Sequence, residues 1–268
     1  MAEASRHDAW QASESYDLYM GRWSRQIALR FLDWLNLPSG LDWLEAGCGT
    51  GALSAAIVSG CDPECLTAID LSEAFLAKAR ASVQDSRATF LCGDMQALSV
   101  ETARYDVAVS ALVLNFVPDK VKALREMKRV VKPGGTVGFY VWDYPGGGVE
   151  FIRAFWTAAT ALDPQARDLT EGNRFAFCTP ESLTALAREA GLTPVLCIAI
   201  EEPTVFASFD DYWHPFTLGA GPAPGYCVKL DPAARQRLKD TLSDSLTRQP
   251  NGSIALKSRA WAIKAVVA

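Results

Sequence analysis

Apolar and polar positions follow two different periods along the first half of the chain. Short apolar runs, several of them ending in or followed by an acidic residue, alternate with segments in which apolar residues recur every three or four positions. The first pattern is typical of buried strands and the second of amphipathic helices. The predicted strands one to five cover residues 41–45, 65–70, 88–92, 105–111 and 136–142. Strands that alternate with helices predict an α/β fold, with a doubly wound, mostly parallel sheet and helices on both faces.

The alternation loosens after the three glycines at 146–148. Helical spacing continues up to a predicted sixth strand at 193–200. An insertion at 206–250, which starts with a cluster of aromatic residues and ends in a helix, separates this strand from a last one at 253–267. We therefore predict a single domain, 1–268, in which the helical insertion before the last strand forms a lid over a binding site.

The first predicted strand ends in an acid and three alternating glycines. It stops at Glu45 and turns through Gly47, Gly49 and Gly51 into a helix that begins at Ala52. Glycine lets a ligand approach the backbone closely, and the first amides of the helix lack partners within it. The turn is therefore a candidate nucleotide-binding loop. Two other interpretations stay open at this point, an ordinary strand-to-helix turn and the dinucleotide fingerprint of a nicotinamide-dependent oxidoreductase.

Two further acids follow the next two strands. Asp70 ends strand two at the spacing from Glu45 where a carboxylate can accept hydrogen bonds from ribose hydroxyls. The alternative for Asp70 is a helix-capping role. Asp94 follows strand three, and three acids at three successive strand ends form a much narrower pattern than the glycines alone. The pattern favours a nucleotide-like ligand.

Composition and charge exclude several classes of partner. The net charge of −5 and the pI of about 5.2 argue against a broad phosphate-binding face, so we predict no nucleic-acid partner. Seven cysteines and two histidines show no metal-ligand spacing, so we predict no metal and reduced thiols. The sequence has neither an apolar signal segment nor a long apolar run, so we predict a soluble, cytoplasmic protein without a membrane partner. A small molecule is the expected partner.

Four motifs together carry a resemblance to one enzyme family. They lie at 45–51, at Asp70, at 93–95 and at 124–135. With these motifs the chain resembles the class I S-adenosylmethionine-dependent methyltransferases, most closely the small-molecule enzymes of the ubiquinone and menaquinone methyltransferase type. The resemblance implies S-adenosylmethionine as cofactor. It also implies a Rossmann-like sheet of seven strands in the order 3-2-1-4-5-7-6, with strand seven antiparallel.

The resemblance assigns roles in the cofactor site as well. It places the methionine part of the cofactor at Glu45, Ala46, Gly47 and Gly49, the ribose at Asp70 and Leu71, the adenine at Asp94 and Met95, and the methionine ammonium at Ser110 and Ala111. The stretch that begins at Tyr16 is similar to that of glycine N-methyltransferase-like enzymes, in which an arginine pairs with the cofactor carboxylate. Arg25 matches that arginine best, with Arg22 as the competitor. The alternative for this stretch is aromatic packing in the core with solvated arginines.

The acceptor side of the site is less determined by the sequence. Asn115 stands where relatives of this type often carry histidine, so the acceptor chemistry does not follow from the resemblance. If the reaction requires removal of a proton, His214 and Asp143 are the candidate catalytic bases, with Asp211 as a further candidate. A packed structural histidine is the alternative for His214. We expect a small acceptor of apolar or aromatic character, and a non-catalytic protein that binds S-adenosylmethionine stays open as a second function.

Overall fold

The computed structural model describes residues 17–268. The strands are β1 (Asp42–Ala46), β2 (Cys65–Asp70), β3 (Ala88–Cys92), β4 (Tyr105–Ala111), β5 (Val131–Trp142), β6 (Val195–Phe206) and β7 (Ile254–Val266). The α-helices are α1 (Arg22–Leu35), α2 (Ala52–Gly60), α3 (Glu73–Ser82), α4 (Lys120–Val130), α5 (Glu150–Leu162), α6 (Glu171–Arg174), α7 (Pro180–Glu189), α8 (Phe209–Trp213), α9 (Pro222–Lys229) and α10 (Pro232–Ser245). Shorter helical turns cover Asp17–Gly21, Leu114–Phe116, Pro164–Leu169 and His214–Leu218.

The seven strands form one sheet in the order β3-β2-β1-β4-β5-β7-β6. Strand β1 pairs in parallel with β2 and β4, β2 with β3, and β4 with β5, whereas β7 runs antiparallel to β5. The predicted fold class and strand order are thereby confirmed. Because β1 to β4 are parallel, their carboxyl ends meet at one edge, and the acids that end or follow β1, β2 and β3 are brought to that edge.

The fifth strand is longer than the sequence predicted. We expected it to begin at Thr136, after a break at 132–135, but it starts at Val131 directly after α4. The pairing with β4 shifts register between Tyr105 and Val107, so the strand carries an irregularity instead of ending at the proline and glycines. A Cβ at Gly135 would lie 2.5 Å from the side chain of Val131, which shows how tightly this bulge is packed.

Two basic side chains of helix α4 form contacts with other residues of the sheet unit. Lys128 Nζ donates to the carbonyl oxygen of Gly191 at 2.6 Å, and Arg129 Nε donates to Glu126 Oε1 at 2.7 Å. The Lys128 contact joins the helix to backbone after α7, and the ion pair of Arg129 with Glu126 lies within the helix.

Residues 17–268 divide into two compact units. The sheet unit comprises 24–142, 177–200 and 260–268, and the helical unit comprises 17–23, 143–176 and 201–259. The seven cysteines, all of which lie within residues 17–268, form no disulfide bond with one another. Within residues 17–268, no helix has the length and apolar character needed to cross a membrane, and no group of three metal-ligating side chains is placed to hold an ion.

Each unit has its own apolar core. In the sheet unit Trp43 and Leu44 are fully buried on β1, and the Phe31 ring lies 4.8 Å from that of Tyr140. The core of the helical unit is built largely from aromatic rings, with Phe155 stacked on Phe216 at 4.5 Å between centroids. Rings of this size bury large apolar areas and prefer such offset or edge-on arrangements.

Candidate functional site

The loop between β1 and α2 depends on glycine for two different reasons. Gly47, Gly49 and Gly51 all have positive φ angles, of 78°, 53° and 87°. A Cβ at Gly47 would lie 2.5 Å from Cγ1 of Val113, so this glycine is packed against protein. A Cβ at Gly49 would meet nothing within 4 Å, so this glycine faces open space. The loop is closed on one side by Val113 and presents bare backbone on the other.

Asp70 holds this loop in place. Its Oδ2 accepts a hydrogen bond from the Gly49 amide at 2.8 Å, and its Oδ1 accepts one from the Ser72 amide at 2.8 Å. The N-cap of α3 is Ser72, whose hydroxyl accepts from the Phe75 amide. The helix cap considered for Asp70 in the sequence therefore belongs to Ser72. A carboxylate has about four lone-pair positions, so Asp70 retains acceptor capacity for a ligand while it anchors the loop.

A cavity of about 120 Å³ brings together five of the predicted cofactor-binding residues. These are Gly47, Asp70, Leu71, Asp94 and Met95. Val113 and Val117 add apolar wall, while the two carboxylates provide hydrogen-bond acceptors. Asp94 accepts from the backbone and side-chain amides of Gln96, at 2.8 and 3.1 Å, which fixes its orientation. An apolar wall with fixed acceptors at its rim suits a flat heteroaromatic ring joined to a sugar.

Glu45 lies in the interior of the sheet unit. It is 1% exposed, and one carboxyl oxygen accepts from the Ser54 hydroxyl. The other oxygen, Oε1, has no hydrogen-bond partner among residues 17–268. Burial raises the pKa of Glu45 to about 8, the Ser54 hydroxyl partly opposes that rise, and the charge of Asp70 adds to it. Ala46 is also fully buried, so side chains at both positions support the loop from within.

The carboxyl end of β4 carries buried polar atoms that no described residue satisfies. Ser110, at 1% exposed, has no partner for its hydroxyl, and Asn115, at 7% exposed, has none for its amide nitrogen among residues 17–268. Ala111 ends the same strand and is half-buried. An unsatisfied buried polar group costs about 1–3 kcal/mol, and a bound ligand could recover that energy. The sequence pointed to Asn115 only as a departure from its relatives.

These features together fit the predicted cofactor. The open face of the glycine loop, the acceptors of Asp70 and Asp94, and the unsatisfied groups of Ser110 and Asn115 all belong to the carboxyl edge of the parallel strands. That edge is where open α/β sheets bind nucleotides. The residues that would hold the cofactor are thus present with suitable chemistry.

Of the residues near the N-terminus that were considered as cofactor contacts, the structure describes Arg22 and Arg25. Tyr16 lies outside the described residues. Arg25 is exposed on α1 and stays a prediction. Its competitor Arg22 donates to Asp211 Oδ1 at 2.9 Å, and its guanidinium stacks over the Trp23 ring at 4.5 Å and the Phe206 ring at 4.7 Å. Arg22 is thereby engaged within the helical unit and is not a solvated arginine.

The two candidate bases occupy different settings in the helical unit. Asp143 is 2% exposed and accepts from the Gly146 amide at 2.9 Å and from Arg259 at 3.3 Å, contacts that hold the turn before α5. His214 is exposed at the start of its short helical turn. Neither residue lines the cavities described here. Their catalytic roles stay predictions.

Sequence reasoning missed one further buried carboxyl group, in addition to those of Glu45, Asp70 and Asp143. Glu171 is 2% exposed, accepts from the Trp156 indole, and lines a cavity of about 480 Å³ in the helical unit. Burial raises its pKa to about 7, with the Trp156 hydrogen bond opposing the rise. In the sequence Glu171 follows Thr170, which caps α6, so it looks like an ordinary acid in a first helical turn. No local signal distinguished it.

Several known proteins that are similar to the chain are named as methyltransferases. A family model described as a methyltransferase domain matches residues 44–139. A malonyl-[acyl-carrier protein] O-methyltransferase of Erwinia pyrifoliae is 31% identical over 201 residues, which is 75% of this chain and 68% of the relative. A ubiquinone biosynthesis O-methyltransferase of Coxiella burnetii is 28% identical over 175 residues, 62% of this chain and 69% of the relative.

Solved structures share the fold at lower identity. Phosphoethanolamine N-methyltransferase 2 of Haemonchus contortus, in complex with phosphomonomethylethanolamine and S-adenosylhomocysteine, superposes with a TM-score of 0.61 at 16% identity, over 96% of this chain and 58% of that one. The YcgJ protein of Bacillus subtilis gives a TM-score of 0.56 at 16% identity, over 91% of this chain and 97% of that one. At these identities the likeness concerns the fold alone.

Proposed function

Since the chain belongs to the class I S-adenosylmethionine-dependent methyltransferases, with S-adenosylmethionine as its cofactor, we propose that it transfers the methyl group to a small-molecule acceptor. The observation that carries this proposal is the glycine loop anchored by Asp70, because it joins bare backbone at Gly49 to the acids of the neighbouring cavity. Neither the nicotinamide-dependent oxidoreductase nor the non-catalytic binding protein is supported by the relatives found.

The protein's part in such a reaction is mainly to position the reactants. When bound, S-adenosylmethionine supplies a methyl group on a sulfonium, which departs by in-line displacement with a neutral leaving group. Alignment of reactants can contribute about 7–11 kcal/mol to lowering a barrier of this kind. We assign ribose binding to Asp70 with Leu71, and adenine binding to Asp94 with Met95. The Gly49 and Ser72 amides donate to Asp70, and the Gln96 amide donates to Asp94. These hydrogen bonds hold each carboxylate in one orientation before a ligand arrives.

The remaining cofactor contacts come from the loop and from β4. Gly47 and Gly49 offer backbone to the methionine part, with Glu45 and Ala46 buried beneath them. We assign the methionine ammonium to the backbone of Ser110 and Ala111, and the cofactor carboxylate to Arg25. The Ser110 hydroxyl and the Asn115 amide, both buried without a partner among residues 17–268, support a ligand at this end of β4.

Removal of a proton from the acceptor falls to His214 or Asp143 in this proposal. His214 is exposed, whereas Asp143 is buried and already accepts hydrogen bonds from Gly146 and Arg259. A general base must reach the proton that it abstracts, so the exposed imidazole is the better candidate. We keep the segment 206–250 as the proposed lid within a single functional domain. Its aromatic residues include Tyr212, which donates to the Phe151 carbonyl.

The acceptor class rests on the relatives and on composition. The names of the two methyltransferase relatives refer to malonyl-[acyl-carrier protein] and to ubiquinone biosynthesis, and the pI of this chain is about 5.2. We propose a small apolar or aromatic acceptor, with no nucleic-acid or membrane partner, and a cytoplasmic location. Among residues 17–268 no helix is suited to cross a membrane, which is compatible with that location.

A methylation assay with labelled S-adenosylmethionine and a fractionated metabolite extract tests this proposal. The wild-type protein should label a low-molecular-weight product, and Asp70→Ala should abolish the labelling. Glu101→Ala, an exposed acid in the same unit, is the matched control and should behave like wild type. Calorimetry should show binding of S-adenosylmethionine and none of NADH. Binding without labelling of any fraction would favour a non-catalytic protein, and tight NADH binding alone would overturn the assignment.

A further inference from the structure

A cavity in the helical unit has a lining that includes none of the residues assigned to the cofactor. Its volume is about 480 Å³, and it is lined by α5, the segment 144–147 and the segment 167–173. One wall is apolar and buried, with Val149, Ile152 and Trp156 each no more than 5% exposed. Such a combination of volume and apolar lining is typical of small-molecule sites.

A buried acceptor group belongs to this lining. Glu171 is 2% exposed, and its Oε2 accepts a hydrogen bond from the Trp156 indole. Its Oε1 has no hydrogen-bond partner among residues 17–268. A buried carboxyl oxygen left in this way is costly, and an N–H or O–H group of a ligand would satisfy it.

The hydroxyl of Tyr19 is a second buried group without a partner in the described chain. The Tyr19 ring is 2% exposed and packs edge-on against Phe151 at 5.8 Å and Phe216 at 5.5 Å. Burial raises the pKa of Tyr19, and the charge of Glu171 adds to the rise, so the two groups interact.

Cationic side chains line the same cavity where it is exposed to solvent. Arg153 and Arg167 are both exposed members of its lining. Arg153 forms an ion pair with Glu150 Oε1 at 3.2 Å, whereas the Arg167 guanidinium forms no ion pair within residues 17–268. Guanidinium groups bind carboxylates and phosphates by paired hydrogen bonds. The cavity therefore combines an anion-binding edge, an apolar wall and a buried acceptor.

We propose that this cavity binds a small aromatic anion that carries a hydroxyl or amino group. Glu171 Oε1 accepts the hydrogen bond of that group, Trp156 and Ile152 pack against the ring, and Arg167 with Arg153 faces the anionic group. The inference goes beyond the proposed methyl transfer, because it concerns binding that requires neither S-adenosylmethionine nor turnover. Carboxylate and phosphate ligands share the required chemistry.

Calorimetry on the full chain at pH 8 tests the inference, because Glu171 is then mostly ionised. The probe is 4-hydroxyphenylacetate, with 4-methoxyphenylacetate lacking the donor and 2-(4-hydroxyphenyl)ethanol lacking the anion. The wild-type protein should bind the probe at least about tenfold more tightly than either analogue. A tenfold difference in affinity corresponds to about 1.4 kcal/mol of binding free energy. A further arm with 4-hydroxybenzylphosphonate distinguishes a carboxylate site from a phosphate site.

Variants show which groups are responsible. Glu171→Gln keeps the size and an acceptor for the Trp156 indole, but turns an N–H₂ group toward the ligand, so the preference for hydroxy over methoxy should disappear. Arg167→Ala should reduce the affinity of both anionic probes and leave the neutral alcohol unchanged. The matched controls Glu181→Gln and Arg188→Ala, both exposed, should bind like wild type.

Three results would overturn the proposal. They are equal or absent binding of all probes by the wild-type protein, an unchanged hydroxy-to-methoxy ratio in Glu171→Gln, and an unchanged affinity for anions in Arg167→Ala. If Glu171→Gln fails to fold, the exposed Arg167→Ala variant alone decides the outcome. Failure of the proposed methyl transfer is recognised separately, because these titrations contain no methyl donor.

Discussion

The variants Gly47→Ala and Gly49→Ala should distinguish the side of the cofactor loop that packs against Val113 from the side that faces the ligand. A Cβ at Gly47 would lie 2.5, 2.9 and 3.0 Å from Cγ1, Cγ2 and Cβ of Val113, so rotation of the valine does not clear the space. A left-handed φ costs a non-glycine residue about 1–2 kcal/mol, and overpacking typically costs about 1–3 kcal/mol more. We expect Gly47→Ala to lose about 2–5 kcal/mol of unfolding free energy.

Gly49→Ala should lose less stability than Gly47→Ala and more of its affinity for the cofactor. Its φ of 53° carries the conformational cost alone, because a Cβ there meets nothing within 4 Å. We therefore expect a loss of about 1–2 kcal/mol in stability. The new methyl group would occupy the open face of the loop, where the backbone is assigned to the methionine part of the cofactor. The affinity for S-adenosylmethionine should fall by about tenfold or more, which corresponds to at least about 1.4 kcal/mol.

Urea unfolding and calorimetry with S-adenosylhomocysteine measure the two effects on the same samples. Gly40→Ala is the matched control, because Gly40 has a φ of 74° and open space around it but precedes β1, at the other end of that strand. It should lose stability like Gly49→Ala and bind like wild type. Unchanged binding by Gly49→Ala, or a Gly47→Ala variant as stable as Gly40→Ala, would refute this account of the loop.

Three further predictions concern individual side chains. Asp70→Ala removes the acceptor of the Gly49 and Ser72 amides, so it should weaken S-adenosylmethionine binding at least about tenfold and lower the melting temperature; unchanged affinity in calorimetry would contradict the assigned role. Burial raises the pKa of Glu45 from 4.5 to about 8. Between these two pH values its carboxyl group is protonated in the folded protein and ionised in the unfolded one. The free energy of unfolding therefore falls as pH rises through that window. At about 1.4 kcal/mol per pKa unit the loss approaches about 5 kcal/mol, and Glu45→Gln should flatten it in urea titrations at pH 5 and pH 9; an equal slope in both proteins would exclude Glu45 as its source. Arg25→Ala should weaken cofactor binding with little change in stability, whereas Arg22→Ala should cost about 1 kcal/mol through its half-exposed ion pair and its ring contacts; the reverse pattern in paired binding and unfolding assays would make Arg22 the cofactor ligand.

Much of the fold and of the cofactor site could be predicted from local sequence. Strands β2, β3 and β4 were predicted with the bounds that the structure shows, because apolar runs bounded by turn residues have few other structures. Glycines spaced after a strand and acids at strand ends are local features too. Parallel pairing then brings Gly47, Asp70 and Asp94 to one cavity, since the carboxyl ends of neighbouring strands share an edge.

Only the tertiary structure decided which polar groups outside that edge are buried and which residues they pair with. Nothing near Glu171 in sequence shows that it meets the Trp156 indole, 15 residues earlier. Arg22 meets Asp211 across 189 positions, and Asp143 meets Arg259 across 116. Whether a carboxyl group is buried or paired depends on such distant contacts, because desolvation and hydrogen bonding act through space. Periodicity along the chain records which face of an element is buried, but not which residue lies opposite it.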